Sequence, residues 1–239
     1  MTKDNTTQYF STWWAILFVF LTINLIPVPF ALLVGSLGEW VYQNPVLVDM
    51  NYLGQVKLHP IADNLTTILS MTALVAFIVW RMKKRNIDLN DLGSLTINKR
   101  DIFYGTLMLF AFIALEEIYM WALDIEMPDG FVTFMLSDPI ILGLISVIII
   151  APIAEEFLFR GFLFSQLKRT QLGGWGAVTI SSFLWTIIHF QYEPLILLVL
   201  FIFGIFLGYI RMAYNSLSLP IILHAINNTF AFGMAYFFY

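Results

Sequence analysis

The chain has no cysteine. Disulfides, thiolate catalysis and cysteine-bound zinc are therefore excluded. Charge is scarce as well: Asp, Glu, Lys and Arg make up 12% of the 239 residues. Histidine occurs three times, at His59, His189 and His224. Apolar residues fill the space, at 59% of the chain with a mean hydropathy of +0.81. A soluble domain of this size rarely has that composition. Roughly 20 apolar residues cross a bilayer, and the chain has room for about seven such spans. The expected fold class is all-α: a polytopic membrane protein of about seven transmembrane helices. Membrane lipids are its expected surroundings, and no nucleic-acid partner is expected. The net charge of −4 says little, because its distribution matters more.

A polar tail covers residues 1–12. Span 1 is expected over Trp13–Leu37, with a kink or break at Pro27 and Pro29. Residues 38–63 read as a polar loop. Span 2 covers about Leu65–Trp80, and a basic loop follows. Span 3 covers about Ile102–Leu123. An acidic loop comes next, in which Phe131–Leu136 suits the membrane interface. Span 4 reads as one long helix from Pro139 to Leu167, ended by Lys168, Arg169 and Gly173-Gly174. Span 5 covers Trp175–Phe190, span 6 Pro194–Ile210, and span 7 runs from Leu219 to the C-terminus. Residues 1–137 thus supply three spans and their loops, and 138–239 the chemistry-bearing part of one membrane domain. Gly204 and Gly208 form a small-xxx-small pair, suited either to a homodimer contact or to packing within the chain.

Ten of the twelve Lys and Arg residues fall on one face of this arrangement. The positive-inside rule then predicts a cytoplasmic N-terminus.

The few polar residues inside spans carry the functional signal, because an ionisable group in hydrocarbon marks function by default. Glu155 and Glu156 end an apolar run, and Arg160 lies four residues after Glu156. Residues i and i+4 share a helix face, so Glu156 and Arg160 can pair and spare each other an unpaired burial. Glu155 lies about 100° around the helix and can face a cavity as a general base. His189 closes span 5, and His224 and Asn228 sit one turn apart in span 7. Imidazoles can hold water, donate to a carbonyl oxygen or ligate metal. An amide suits oxyanion stabilisation. A base, a bound water and oxyanion donors are what acyl transfer to water requires. Glu116-Glu117 in span 3 is a second carboxylate pair, but Trp121 stands where an arginine partner would be. In this arrangement His189 lies near the far end of its span and His224 near the start of its own. A shared site then needs span 5 displaced, tilted or reached by a deep cavity.

The segment Glu155-Glu156-Phe157-Leu158-Phe159-Arg160 resembles the EExxxR motif of the CAAX protease and bacteriocin-processing (Abi) family, the type II CAAX prenyl endopeptidases. The family's second motif, FxxxH, appears as Trp185-Thr186-Ile187-Ile188-His189. The third, HxxxN, appears as His224-Ala225-Ile226-Asn227-Asn228. The three follow in the family's order on successive helices, and the resemblance covers roughly residues 138–235. It implies an intramembrane glutamate-dependent endopeptidase in a bacterial cell membrane. By resemblance Glu155 activates water with His189, Glu156 and Arg160 support the site, and His224 with Asn228 forms the oxyanion pocket. Trp185 departs from the family's Phe, which bears on local packing and cavity shape.

The implied substrate is a peptide or lipidated peptide. Classical members remove the last three residues after a prenylated cysteine, and bacterial relatives serve peptide maturation or bacteriocin self-immunity. No cofactor is expected on this reading. Three alternatives stand beside it: a non-catalytic immunity or scaffold protein, a proton or ion relay, and a zinc-dependent hydrolase with Glu and two His as ligands. The usual helix-borne HExxH zinc motif is absent.

Overall fold

Prolines, caps and end charges decide where the helices begin and stop. The computed structural model describes residues 11–42, 47–50, 56–58, 60–136 and 139–239. The N-terminal tail, His59 and Asp138 lie outside the described residues. Helix α1 (Thr12–Leu25) opens on Ser11, whose hydroxyl accepts from the Trp14 N–H at 3.4 Å. It stops at Ile26, and Pro27 opens α2 (Pro27–Tyr42). Proline has no N–H to give to the preceding turn, so the chain breaks there, as the sequence predicts. A short antiparallel hairpin, Leu47–Met50 with Val56–Leu58, interrupts the expected polar loop.

Helix α3 (Pro60–Lys84) has proline at its first position, Asp63 in its first turn, and Arg81, Lys83 and Lys84 in its last. Each charge sits at the dipole end that favours it. Residues 60–63 therefore belong to the helix rather than to the loop. Helix α4 (Lys99–Ala122) is capped by Asn98. The Asn98 Oδ1 accepts from the Asp101 N–H at 2.8 Å, and its Nδ2 donates to Asp101 Oδ2 at 2.7 Å, a reciprocal cap. The short helix α5 (Asp129–Leu136) covers the Phe131–Leu136 stretch.

Helix α6 (Ile140–Leu167) is the long helix expected for span 4, at 28 residues. It is not uniform. Two π-helical stretches, Leu144–Ile150 and Phe157–Leu163, flank the α-helical Ala151–Glu156. Such stretches are rare and gather at functional sites. Pro152 supplies a cause for the first. The Ala151 N–H already reaches back five residues to Ser146. The next donor would serve the Val147 carbonyl, but proline has none. That carbonyl is left for another partner.

Helices α7 (Gly173–Ile187), α8 (Pro194–Tyr214) and α9 (Ser218–Phe238) complete the fold. Among the described residues, six helical segments are long and apolar enough to cross a membrane: residues 13–37, α3, α4, α6, α8 and α9. The chain is an integral multi-pass membrane protein. Helix α7 is the exception among the expected seven. Its 15 residues reach about 22 Å, short of the ~30 Å hydrocarbon core.

Small residues hold α7 against α8. A Cβ on Gly204 would lie 3.0 Å from Ser182 Cβ, and one on Gly208 would lie 3.0 Å from Val178 Cγ1. In lipid, close packing of this kind replaces the hydrophobic drive available in water. The glycine pair thus serves packing within the chain. Arg211 fastens α8 to the base of α6. Its Nε donates to the carbonyls of Leu92 and Arg160, both at 3.0 Å, and its Nη1 donates to Asn215 at 3.1 Å. Gly93, at φ 113°, lets the guanidinium in, because a Cβ there would stand 2.7 Å from Arg211 Cζ. At the other end of α6, Asn64 is fully buried. It donates to the Phe134 carbonyl at 3.0 Å and accepts from the Ser146 hydroxyl.

Candidate active site

The three motifs converge from α6, the end of α7, and α9. Glu156 and Arg160 are fully buried. Arg160 Nη1 donates to Glu156 Oε1 at 2.9 Å, the pair expected from their spacing. The other end of the guanidinium, Nη2, donates to the Gly204 carbonyl at 3.1 Å. Its Cζ lies 4.9 Å from the centre of the Trp185 ring. Glycine at 204 permits this: a Cβ would sit 3.3 Å from both Arg160 Nη2 and Trp185 Cε3. One cation thus ties α6 to α7 and α8.

Glu156 Oε1 has a second partner. His224 Nδ1 lies 2.9 Å away. An ionised carboxylate only accepts, so Nδ1 carries the proton and Nε2 is the atom left for chemistry. His189 is set in the same sense. Its Nδ1 lies 2.9 Å from the Trp185 carbonyl oxygen, another group that only accepts, so its Nε2 is likewise the nitrogen left open. Both imidazoles flank one ring: Trp185 lies 4.9 Å from His189 and 5.7 Å from His224, centre to centre. The expected mismatch in depth does not arise. The short α7 ends early, and the turn after it carries His189.

Glu155 is the carboxylate set apart. It is 9% exposed, against zero for Glu156. Its Oε2 accepts from the Trp185 indole N–H at 2.6 Å, a short bond of the charge-assisted kind. Its Oε1 makes no hydrogen bond among the described residues. The consecutive glutamates therefore point to different partners, one to Arg160 and His224, the other to Trp185.

Asn228 sits one turn beyond His224. Its Nδ2 donates to the Val147 carbonyl at 2.8 Å, the oxygen that Pro152 leaves without a helical donor. A buried carbonyl needs a partner, and α9 supplies one. One amide proton is spent on α6 and one remains.

Sequence reasoning missed three groups. Trp185 is more than packing, because its indole orients Glu155. The signal was its place at the head of the second motif. The Val147 carbonyl was legible only by pairing Pro152 with Asn228. Tyr192, in the turn after α7, stacks 6.2 Å from His189 at 21°. Burial pushes its hydroxyl up to about 12, so it stays a neutral phenol in the field of Glu155. Glu116 and Glu117, on α4, stay outside the cluster.

Among the described residues no three His, Asp or Glu side chains gather to hold a metal ion. Glu156 Oε1 is already shared by Arg160 and His224.

Residues 137–230 match the sequence model of a family described as Type II CAAX prenyl endopeptidase Rce1-like. All six candidate residues fall inside that stretch. Residues 137–230 are therefore similar to an Rce1-like domain. The family is one of CAAX-type membrane proteases. The chain is also 33% identical over 102 residues to an uncharacterized 24.3 kDa protein of Escherichia coli. The matched stretch is 40% of this chain and 47% of that protein, so the chain spans about half the length of this relative. No solved structure matches.

Proposed function

We propose that this chain is an intramembrane endopeptidase that cleaves a membrane-associated or prenylated peptide with water activated by Glu155. The observation that carries the reading is the split pair of glutamates. Glu156 is neutralised and buried, whereas Glu155 is held by one oxygen and keeps the other for water. The similarity of residues 137–230 to an Rce1-like domain supports the same reaction class.

In this reading Glu155 Oε1 takes a proton from water, with His189 Nε2 accepting the water's second hydrogen bond. The hydroxide attacks the scissile carbonyl carbon, and negative charge moves onto the carbonyl oxygen. The remaining Asn228 N–H and His224 Nε2 face that charge. A donor at His224 Nε2 requires the imidazolium, and the Glu156 carboxylate on Nδ1 is its counter-charge. The proton on Glu155 passes to the leaving amine as the C–N bond breaks. The products are a carboxylic acid and an amine. In the same proposal the protein sits in a bacterial cell membrane with a cytoplasmic N-terminus, supported by its Lys/Arg distribution. Its role there is CAAX-type processing, peptide maturation or bacteriocin self-immunity.

The test is hydrolysis by purified protein in liposomes, using prenylated and unmodified quenched peptides with and without a chelator. Cleavage that survives chelation is expected. Loss under chelation, restored by zinc, would replace the glutamate mechanism.

Trp185→Phe probes the orienting bond. The substitution keeps an aromatic ring beside Arg160 but removes the donor to Glu155. A hydrogen bond to a charged group is worth about 1.5–3 kcal/mol. The related family motif carries Phe here, so an adjustment is expected rather than a loss. The variant should fold normally, with kcat down about tenfold at little change in KM. Unchanged kcat would leave the indole with a packing role only.

A further inference from the structure

His189 stands beyond the last residue of α7, which ends at Ile187. Turn bonds hold its backbone in place of helical ones. Its N–H donates to the Thr186 carbonyl, and the Tyr192 N–H donates to the His189 carbonyl, both at 3.0 Å. The second bond folds the chain back and brings the Tyr192 ring onto the imidazole. The two rings lie 6.2 Å apart, centre to centre, at 21°, an offset stack. Trp185 flanks the same imidazole at 4.9 Å and 60°.

One hydrogen bond does not hold an imidazole. The Trp185 carbonyl lies 2.9 Å from Nδ1, but rotation about Cβ–Cγ is soft, with broad wells half a turn apart. A half-turn would put Cδ2 where Nδ1 stands and Cε1 where Nε2 stands. The bond to Trp185 would be lost, and with it the choice of tautomer. Rings packed against the imidazole resist that turn, because it breaks their contacts. Tyr192 is itself held from behind. Phe131 of α5 meets it edge-on at 6.2 Å and 79°. Phe131 packs in turn on the apolar cluster of Met135, Val147 and Phe232, which joins α5 to α6 and α9. The Tyr192 hydroxyl takes no part in the stack, since its partner is the Gln191 side chain in the same turn.

We propose that Tyr192 is a positioning residue for His189: its ring, backed by Phe131, keeps the imidazole from turning about Cβ–Cγ and so keeps the proton on Nδ1 and Nε2 open. The consequence for catalysis rests on the protease reading, in which Nε2 accepts from the attacking water. The ring geometry stands apart from that reading.

The experiment is nitrogen-15 NMR of the full chain in micelles with ring-labelled histidine, at about pH 8, above the ordinary imidazole range. His189→Gln identifies the His189 signals by deleting them. The wild type should show a protonated Nδ1 and a bare Nε2. Tyr192→Leu should raise the share of the other tautomer about two- to tenfold, the worth of one aromatic contact. Tyr192→Phe keeps the ring and should keep the wild-type signals. Phe131→Ala, which removes only the backing, should move them in the Tyr192→Leu direction by less. It decides the question alone if Tyr192→Leu does not fold. In the peptide assay kcat should fall about fivefold for Tyr192→Leu, with KM near the wild-type value and Tyr192→Phe unaffected. Wild-type signals in folded Tyr192→Leu overturn the proposal. So does a changed tautomer in Tyr192→Phe, which would give the work to the hydroxyl. Cleavage lost in Tyr192→Leu with unchanged His189 signals would mean that Tyr192 touches substrate instead, and the proposal fails. If the wild type cuts no peptide, the protease reading falls by itself and the ring signals still decide.

Discussion

Replacing Glu155 with Gln should lower kcat for peptide cleavage about 10³-fold and leave KM nearly unchanged. The size follows from the role, since a positioned general base contributes about 10²–10⁴-fold. Glutamine is the informative substitute because it matches glutamate in shape. Its amide oxygen can still accept the Trp185 indole N–H, which lies 2.6 Å from the carboxylate in the native chain. It cannot take a proton from water at any working pH. Substrate contacts elsewhere survive, so the loss belongs in kcat. The far-ultraviolet circular dichroism and the thermal midpoint should match the wild type, because Glu155 belongs to no buried ion pair. A variant that cleaves at the native rate would remove Glu155 from the chemistry. A variant that also loses its fold would show that the charge on Glu155 is structural.

The second large effect concerns stability. Arg160→Met should destabilise the fold by about 3–5 kcal/mol, the usual result of removing one partner of a buried pair. For a chain of this length that corresponds to a fall of roughly 10 °C in the thermal midpoint. Three contacts go together: Glu156 at 2.9 Å, the Gly204 carbonyl at 3.1 Å, and the Trp185 ring at 4.9 Å. The largest share comes from what stays behind, a buried carboxylate with only His224 beside it. Adding Glu156→Gln removes that charge. The double variant should therefore lose clearly less stability than the two single losses summed, when unfolding is followed in mixed micelles. Additive losses would mean that the pair is not coupled, against the geometry. Activity should not return in the double variant, because His224 then lacks the counter-charge on Nδ1.

Much of this molecule is legible along the chain. Apolar run length located the six segments long enough to cross, because the bilayer imposes one length scale. The break before Pro27 followed from a missing N–H. The Glu156–Arg160 pair followed from the four-residue spacing of a helix face. Other features were not legible for definite reasons. Residues 60–63 read as the end of a polar loop, yet proline, Asp63 and the dipole favour helix there. Trp175–Phe190 read as a span because it is apolar, but its helix ends at Ile187 and begins at Gly173. Hydropathy counts apolar residues and does not register where the helical hydrogen bonds give way to the turn at residues 188–192. The π-helical stretches of α6 leave no trace in hydrophobic periodicity either.

The residue types at the candidate site were set by the sequence itself: two glutamates, one arginine, two histidines and an amide are the few polar groups a membrane chain would carry at a cost. Which atom faces which was decided only in three dimensions. Gly204 had to meet Ser182 before Arg160 could reach its carbonyl. Val147 had to lose its helical donor before Asn228 had a carbonyl to hold. The Trp185 indole had to cross from α7 to α6 before the two adjacent glutamates became unlike. Helix spacing fixes neighbours within one element, whereas a contact between elements depends on how their backbones pack, and that is a property of the whole fold.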